Sequence, residues 1–327
     1  MADKIRWGIL SAANIGRKVI PSIHDSHNGV VAAVASRDLA KASAYAAELN
    51  IPKAYGSYDE LLADPQIDAI YIPLPNGMHH DWSIKCAQAG KHTLCEKPLA
   101  DTAAQAQQML DAFQAAGLKF AEAFMYRFHP QTLRVRQMIE DGAVGNLRTI
   151  SAAFTFRIRD EGNVRLNSDL AGGGLMDVGC YPVSLMRLIT GEEPIAAKAV
   201  ANFGAESGVD EMLSGVLHFP SQVIGHFDCG LRAFFTNTYE IRGSHGRIVA
   251  EWAFTMPSNQ ATTIRYWNDH SGTTEYEEIT IAPANSYQLM VEDFADAILN
   301  DRPPTFGAHD AVNQMRAVDM LYASARA

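Results

Sequence analysis

The chain reads as an α/β protein: an N-terminal doubly wound parallel sheet, then a C-terminal α+β domain with a large, mostly antiparallel open sheet. Three observations predict this. Up to residue 124, short apolar runs alternate with helical stretches at the spacing of right-handed βαβ units. Beyond residue 125, strand-like runs follow one another with few helices between them, and several alternate apolar with polar residues. The last two segments return to a helical period. The expected domains are residues 1–124 and 125–327, with the last helix able to pack back on the first domain. With 327 residues, 47% of them hydrophobic, the chain is long enough for two separate cores.

Residues 4–10, "KIRWGIL", form an apolar run bounded by turn formers, the first strand. A helical pattern follows in 14–26, where Pro21 is expected to kink or shorten the helix. "GVVAAVASRD" (29–38) is a buried strand, and 39–50 is rich in Ala, Leu, Glu and Lys, all good helix formers. Two further strands, 67–75 and 92–98, flank the helical 79–91; the helix 102–117 leads into the strand 119–124. In the second half, strands are expected at 147–158, 196–204, 211–220, 223–230, 236–243 and 246–254, with closing helices at 286–302 and 308–327. No internal repeat or low-complexity segment interrupts the chain.

Charge narrows the functional classes. A net charge of −10 with no long basic run gives no electrostatic footprint for nucleic acid or for an anionic membrane surface. Nowhere do about 20 apolar residues run together, and the N-terminus lacks the apolar core of a signal peptide. Cys86, Cys95, Cys180 and Cys229 are scattered, without zinc or disulfide spacing, and no cluster has metal-ligand spacing. A cytoplasmic protein without metal is expected.

In a doubly wound sheet the first strand-to-helix turn holds a dinucleotide pyrophosphate against a helix N-terminus. Here that turn reads "GILSAANIG". Ser11 and Ala13 stand where a G-x-G-x-x-G template has its first two glycines, and only Gly16 remains at the third. Ser11, Ala13, Asn14 and Ile15 are the candidate phosphate residues, against the alternative of an ordinary tight connection. The second strand ends in Ser36 and Arg37, where an acidic residue would otherwise accept from the ribose hydroxyls of NAD. A guanidinium fork and a hydroxyl suit a 2′-phosphate better, so NADP is favoured over NAD. The alternative is a solvated Arg37 beside an Asp38 that merely caps the next helix.

The strand at 92–98 ends "CEKP", placing Glu96 and Lys97 at the edge where cofactors bind; Pro98 stops the strand and is a candidate for the cis form. Taken in order, "WGILSAANIG", "YIPLPNGMHH", "CEKPL", "EAFMYRFHPQ" and "GGGLMDVGCYP" resemble the glucose-fructose oxidoreductase, inositol dehydrogenase and MocA family across essentially the whole chain. The resemblance implies that Lys97 lies beside the nicotinamide, and that Pro73, Asn76 and His79 belong to the loop passing the nicotinamide ribose, with His80 a surface residue. The last motif is similar to the family's D-x-G-x-H signature, with Tyr181 in the histidine position. That departure resembles the branch of NADP-dependent D-xylose dehydrogenases, dimeric dihydrodiol dehydrogenases and some sugar ketoreductases, in which tyrosine is the acid/base residue.

What the resemblance implies is a dinucleotide-binding Rossmann domain and a dehydrogenase or reductase acting on a carbohydrate-like small molecule. The implied catalytic residues are Lys97, Tyr181 and Asp177; Tyr126, Arg127 and His129 are implied to touch substrate. It also implies a homodimer or higher homo-oligomer through the C-terminal sheet. The chemistry agrees: a phenol of pKa about 10 becomes a usable acid/base near neutrality only beside a cation, which Lys97 supplies. Asp177 would accept a substrate hydroxyl or orient the pair. Glycines 172–174 and Gly179 suggest a tight backbone here, and Pro182 suits a first helical position. Packing or capping remains the alternative for Tyr181, Asp177, Tyr126, Arg127 and His129. A non-catalytic, dinucleotide-dependent regulator on the same fold is the alternative function.

Overall fold

The computed structural model describes residues 4–269 and 275–327. Contacts divide the chain into two compact units, Met1–Met125 with Tyr287–Met315, and Tyr126–Ser286 with Arg316–Ala327. This differs from a division into 1–124 and 125–327 by placing Tyr287–Met315 with the first unit, and the boundary falls inside the last helix.

The first unit alternates strand and helix: β1 (Ile5–Leu10), α1 (Gly16–Asp25), β2 (Gly29–Ala35), α2 (Leu39–Glu48), β3 (Lys53–Tyr55), α3 (Tyr58–Leu62), β4 (Ala69–Ile72), α4 (His79–Gln88), β5 (His92–Cys95), α5 (Ala103–Ala115) and β6 (Phe120–Glu122). Its six strands lie in the order β3-β2-β1-β4-β5-β6, and every pairing is parallel. The order reverses between β1 and β4, which makes the loops after these two strands the place for a ligand. β1 and β4 are almost wholly apolar because helices cover both faces, and Trp7, Ile9, Ile70 and Tyr71 are fully buried. Pro21 does not end α1, which continues to Asp25.

The second unit contains α6 (Pro130–Glu140), β7 (Leu147–Arg157), α7 (Cys180–Thr190), β8 (Ala196–Phe203), β9 (Asp210–His218), β10 (Ile224–Gly230), β11 (Arg232–Gly243), β12 (Gly246–Glu251), β13 (Thr262–Asn268) and β14 (Glu277–Ile281). Two helices close the chain, α8 (Ser286–Leu299) and α9 (Ala308–Ala325). The eight strands run β14-β13-β12-β11-β7-β10-β9-β8; only β7 and β10 pair in parallel. One face is covered: Gly225 leaves room for the Met186 side chain of α7, and Leu213, Leu217 and Phe227 are buried. Val200, Val216 and Ile224 lie on the other face and stay exposed. β3, with three residues, β13 and β14 are not expected from the sequence, and β11 runs four residues further toward its N-terminus than the expected 236–243.

Candidate functional site

The turn from β1 into α1 has the properties of an anion site. Ser11 has φ 130°, a backbone conformation that favours glycine, so it supplies at some strain the turn that the first glycine of a dinucleotide motif provides. Ile15 precedes α1 and its side chain caps nothing; the amides of Ala13, Asn14 and Ile15 donate to no protein group among the described residues. Free amides at a helix N-terminus are what a phosphate binds. Gly16 keeps its packing role, since a Cβ there would collide with the Tyr45 hydroxyl, which donates to the Ala13 carbonyl at 2.7 Å.

At the end of β2, Ser36 is buried while Arg37 is exposed and free of hydrogen bonds or ion pairs among the described residues. Asp38 caps α2, accepting from the Ala40 and Lys41 amides at 2.8 and 3.3 Å. Both readings of this stretch therefore hold together: the aspartate is a cap, and the arginine is available. The turn geometry, the free amides and the unpaired guanidinium fit a dinucleotide carrying a 2′-phosphate.

Glu96 and Lys97 follow β5, and both are half-buried. Glu96 accepts from the Tyr71 hydroxyl at 2.5 Å and from the Lys97 amide at 3.3 Å. Burial together with the Glu96 charge pushes the Tyr71 phenol well above its ordinary range. The Lys97–Pro98 peptide is cis. Two buried side chains grip this turn. Glu122, at the end of β6, accepts from the Leu99 amide at 2.8 Å, and His79 reaches the Pro98 and Leu74 carbonyls with its two ring nitrogens, each at 2.8 Å. His79 is fully buried, and burial lowers its pKa. His79 thereby ties together the loops after β4 and β5, its ring lying between the two carbonyls and donating to one of them. Pro73 is buried beneath the first of these loops, and Asn76 opens its short helical turn, half-buried.

In the second unit, residues Leu175–Gly179 form a π-helical turn that runs directly into α7. Pro182 is consequently the third residue of α7 rather than the first helical one; the widened turn before it relieves the clash its ring makes with a preceding α-turn. Asp177 and Tyr181 thus sit one turn apart on one continuous helical segment. The Asp177 carboxylate takes the Arg165 guanidinium at 2.7 Å. The Tyr181 ring packs among Tyr126, Phe154 and Phe254, with centroids 5.8, 5.3 and 5.6 Å away.

The expected substrate residues behave differently. Tyr126 is fully buried and its hydroxyl bonds the Ser184 hydroxyl at 2.6 Å; Arg127 is 3% exposed and donates to the same oxygen from Nε and one terminal nitrogen at 3.0 and 2.8 Å. Ser184 lies one turn beyond Tyr181, so Tyr126 and Arg127 brace the tyrosine's helix. His129 is fully buried and caps α6, its Nδ1 accepting from the Gln131 amide at 3.1 Å. Burial pulls its pKa down to about 4, which keeps it neutral and fit to accept. Among the described residues Tyr126 and Arg127 thus support the helix of Tyr181, and His129 caps α6. Arg165, Ser184, Glu122 and Asp210 were missed by sequence reasoning. For Glu122 a signal existed, an acid ending an apolar run; the others show no local pattern.

The chain is similar to known proteins in sequence and fold. The description "Oxidoreductase family, NAD-binding Rossmann fold" matches residues 5–124, and "GFO/IDH/MocA C-terminal domain" matches residues 132–249. D-xylose 1-dehydrogenase (NADP(+)) 2 of Haloferax volcanii is 41% identical over 98% of this chain and 97% of its own length. Trans-1,2-dihydrobenzene-1,2-diol dehydrogenase of Mus musculus is 38% identical over 76% of each chain. Among solved structures, a 3-ketoreductase from Actinomadura kijaniata in complex with NADP and TDP-benzene superposes with a TM-score of 0.93 at 28% identity, covering 98% of both chains. That reductase was also solved with a tyrosine changed to phenylalanine and with a lysine changed to alanine.

Proposed function

As the chain belongs to the GFO/IDH/MocA oxidoreductase family, we propose that it is an NADP-dependent dehydrogenase or reductase of sugars or related polyhydroxylated alcohols and ketones. The observation that carries this reading is the joint retention of Lys97 after β5 and of Tyr181 on the Asp177 segment. The tyrosine and the lysine replaced in the Actinomadura reductase are as far apart along that chain as Tyr181 and Lys97 are here.

The residues divide the work as follows. Ala13, Asn14 and Ile15 bind the pyrophosphate through their free amides, Ser11 sets the turn, and Ser36 with Arg37 takes the 2′-phosphate. Pro73, Asn76 and Glu96 border the nicotinamide end, with His79 and Glu122 holding the turn that carries Lys97. NADP, when bound, supplies or accepts the hydride. Tyr181 takes the proton from the substrate hydroxyl in oxidation and returns it in reduction; Lys97 supplies the positive charge that makes a phenol competent near neutral pH. Asp177, paired with Arg165, accepts a substrate hydroxyl or orients the tyrosine. All four cysteines are buried free thiols, which suits a cytoplasmic enzyme.

Incubation with NADP or NADPH and a panel of aldoses and ketoses, followed by absorbance of the reduced nicotinamide, tests the reading. Turnover with at least one sugar is the expected result. Binding of NADP without turnover of any of them would favour a dinucleotide-dependent regulator.

The exposed face of the eight-stranded sheet is the proposed dimer surface. Val200, Val216 and Ile224 are 77%, 42% and 45% exposed on adjacent strands, and apolar residues grouped in this way are better buried by a second copy than left in water. Light scattering at micromolar concentration is expected to give twice the chain mass, and Val216→Lys to shift it toward the monomer.

A further inference from the structure

Asp210, the first residue of β9, is 1% exposed and stands at the start of the helical segment that carries Asp177 and Tyr181. One carboxylate oxygen accepts from the Leu175 amide, the other from the Tyr322 hydroxyl of α9, both at 2.7 Å. The backbone around it is shaped to admit it. Gly173 has φ 124°, and a Cβ there would collide with Asp210 Oδ1 and crowd the Tyr322 hydroxyl. A Cβ on Gly174 would lie 3.1 Å from Gly230 Cα and 3.2 Å from the Asp210 carbonyl. Two consecutive glycines thus let the chain pass close to a buried acid, and an anion at that end is favoured by the helix dipole.

We infer that Asp210 is a positioning residue: as a carboxylate it holds the Leu175 amide, sets the start of the segment presenting Asp177 and Tyr181, and ties that segment to α9 through Tyr322. This rests on the assignment of Tyr181 as the acid/base. The groups facing Asp210 are the Tyr322 hydroxyl from α9, the Arg326 cation just beyond it and the Cys229 thiol from β10. Burial lifts its pKa to about 6, while Tyr322, the Leu175 amide and Arg326 act to lower it. Since the folded value lies above the carboxyl's ordinary 3.8, this group opposes folding increasingly as pH rises from there to about 6. A buried carboxylate kept for stability alone would have the opposite sign. Above that range both of its oxygens accept; below it one oxygen carries a proton and the grip on the segment weakens.

The test follows ¹⁵N-leucine and ¹⁵N-tyrosine amide resonances of the full chain between pH 5 and 8, with Leu175 and Tyr181 identified by their loss in Leu175→Ile and Tyr181→Phe. Both are expected to move together with a midpoint near 6. In Tyr322→Phe, which removes one donor to the anion, the shared midpoint should rise by about one pH unit, and the acid limb of kcat for any sugar turned over with NADP should rise with it. An immobile Tyr181 amide beside a titrating Leu175 amide would reduce Asp210 to a local cap, and immobility of both, or an unchanged midpoint in Tyr322→Phe, would overturn the inference. If the amides titrate as stated while Tyr181→Phe turns over normally, the acid/base assignment fails and the positioning role stands.

Discussion

Tyr181→Phe and Lys97→Met are each expected to lower turnover by about 10²–10⁴-fold, the range that positioned proton transfer contributes. Phenylalanine fills the same space among Tyr126, Phe154 and Phe254 and keeps their ring contacts, so the loss isolates the hydroxyl. Methionine at position 97 keeps the length of the side chain and removes its charge. If the two residues serve one proton transfer, the double variant is hardly slower than the worse single one, because a tyrosine without its cation and a cation without its tyrosine have both lost the same step. Steady-state rates of the four proteins with NADP and one sugar decide this. Single variants within a few-fold of the parent would remove Tyr181 and Lys97 from the chemistry. Losses that multiply would assign them separate roles.

The second large effect is on cofactor choice. Arg37 is exposed, unpaired among the described residues and adjacent to Ser36 at the end of β2, so its guanidinium has no competing carboxylate to leave. A charge-assisted bond to a 2′-phosphate is worth about 1.5–3 kcal/mol, or roughly ten- to a hundred-fold in affinity. NADP is therefore expected to bind that much tighter than NAD, and Arg37→Ala to erase most of the difference while scarcely touching NAD. Calorimetric titration of both cofactors into parent and variant measures it. Equal affinities in the parent, or an unchanged preference in the variant, would show that the guanidinium stays in solvent. Salt should weaken NADP binding more than NAD binding, since the contact lies at the surface.

The legible features share one property: they are written in residues close together along the chain. Apolar runs and helical periods mark five of the six parallel strands and the helices α1, α2, α4 and α5. A small-residue turn after β1, the Ser36 and Arg37 pair after β2, and the Glu96-Lys97-Pro98 end of β5 each follow a strand whose end is itself readable. The Asp177 to Tyr181 spacing is likewise local.

Other contacts of these residues depend on partners that are distant in sequence. Tyr126 and Arg127 meet Ser184, 58 and 57 residues on. The ring of His79 lies against the backbone carbonyls of Pro98 and Leu74. Arg165 turns Asp177 from a lone acid into half of an ion pair.

What the sequence by itself determined is the alternation of strand and helix in the first half, the parallel nature of the first sheet and the mostly antiparallel second one. These follow from periodicity, while the turn after β1, the Ser36 and Arg37 pair, Lys97 and Tyr181 are marked as candidates by their residue types and by the family resemblance. Tertiary structure alone decided which polar side chains face inward, the parallel pairing of β10 with β7, and the support beneath the Tyr181 segment. Asp210 meets Leu175 across 35 residues and Tyr322 across 112. A hydrogen bond needs its two atoms within about 3 Å, and over such separations no local pattern announces which atoms those will be; the packing of β9, α9 and the glycine turn brings them together.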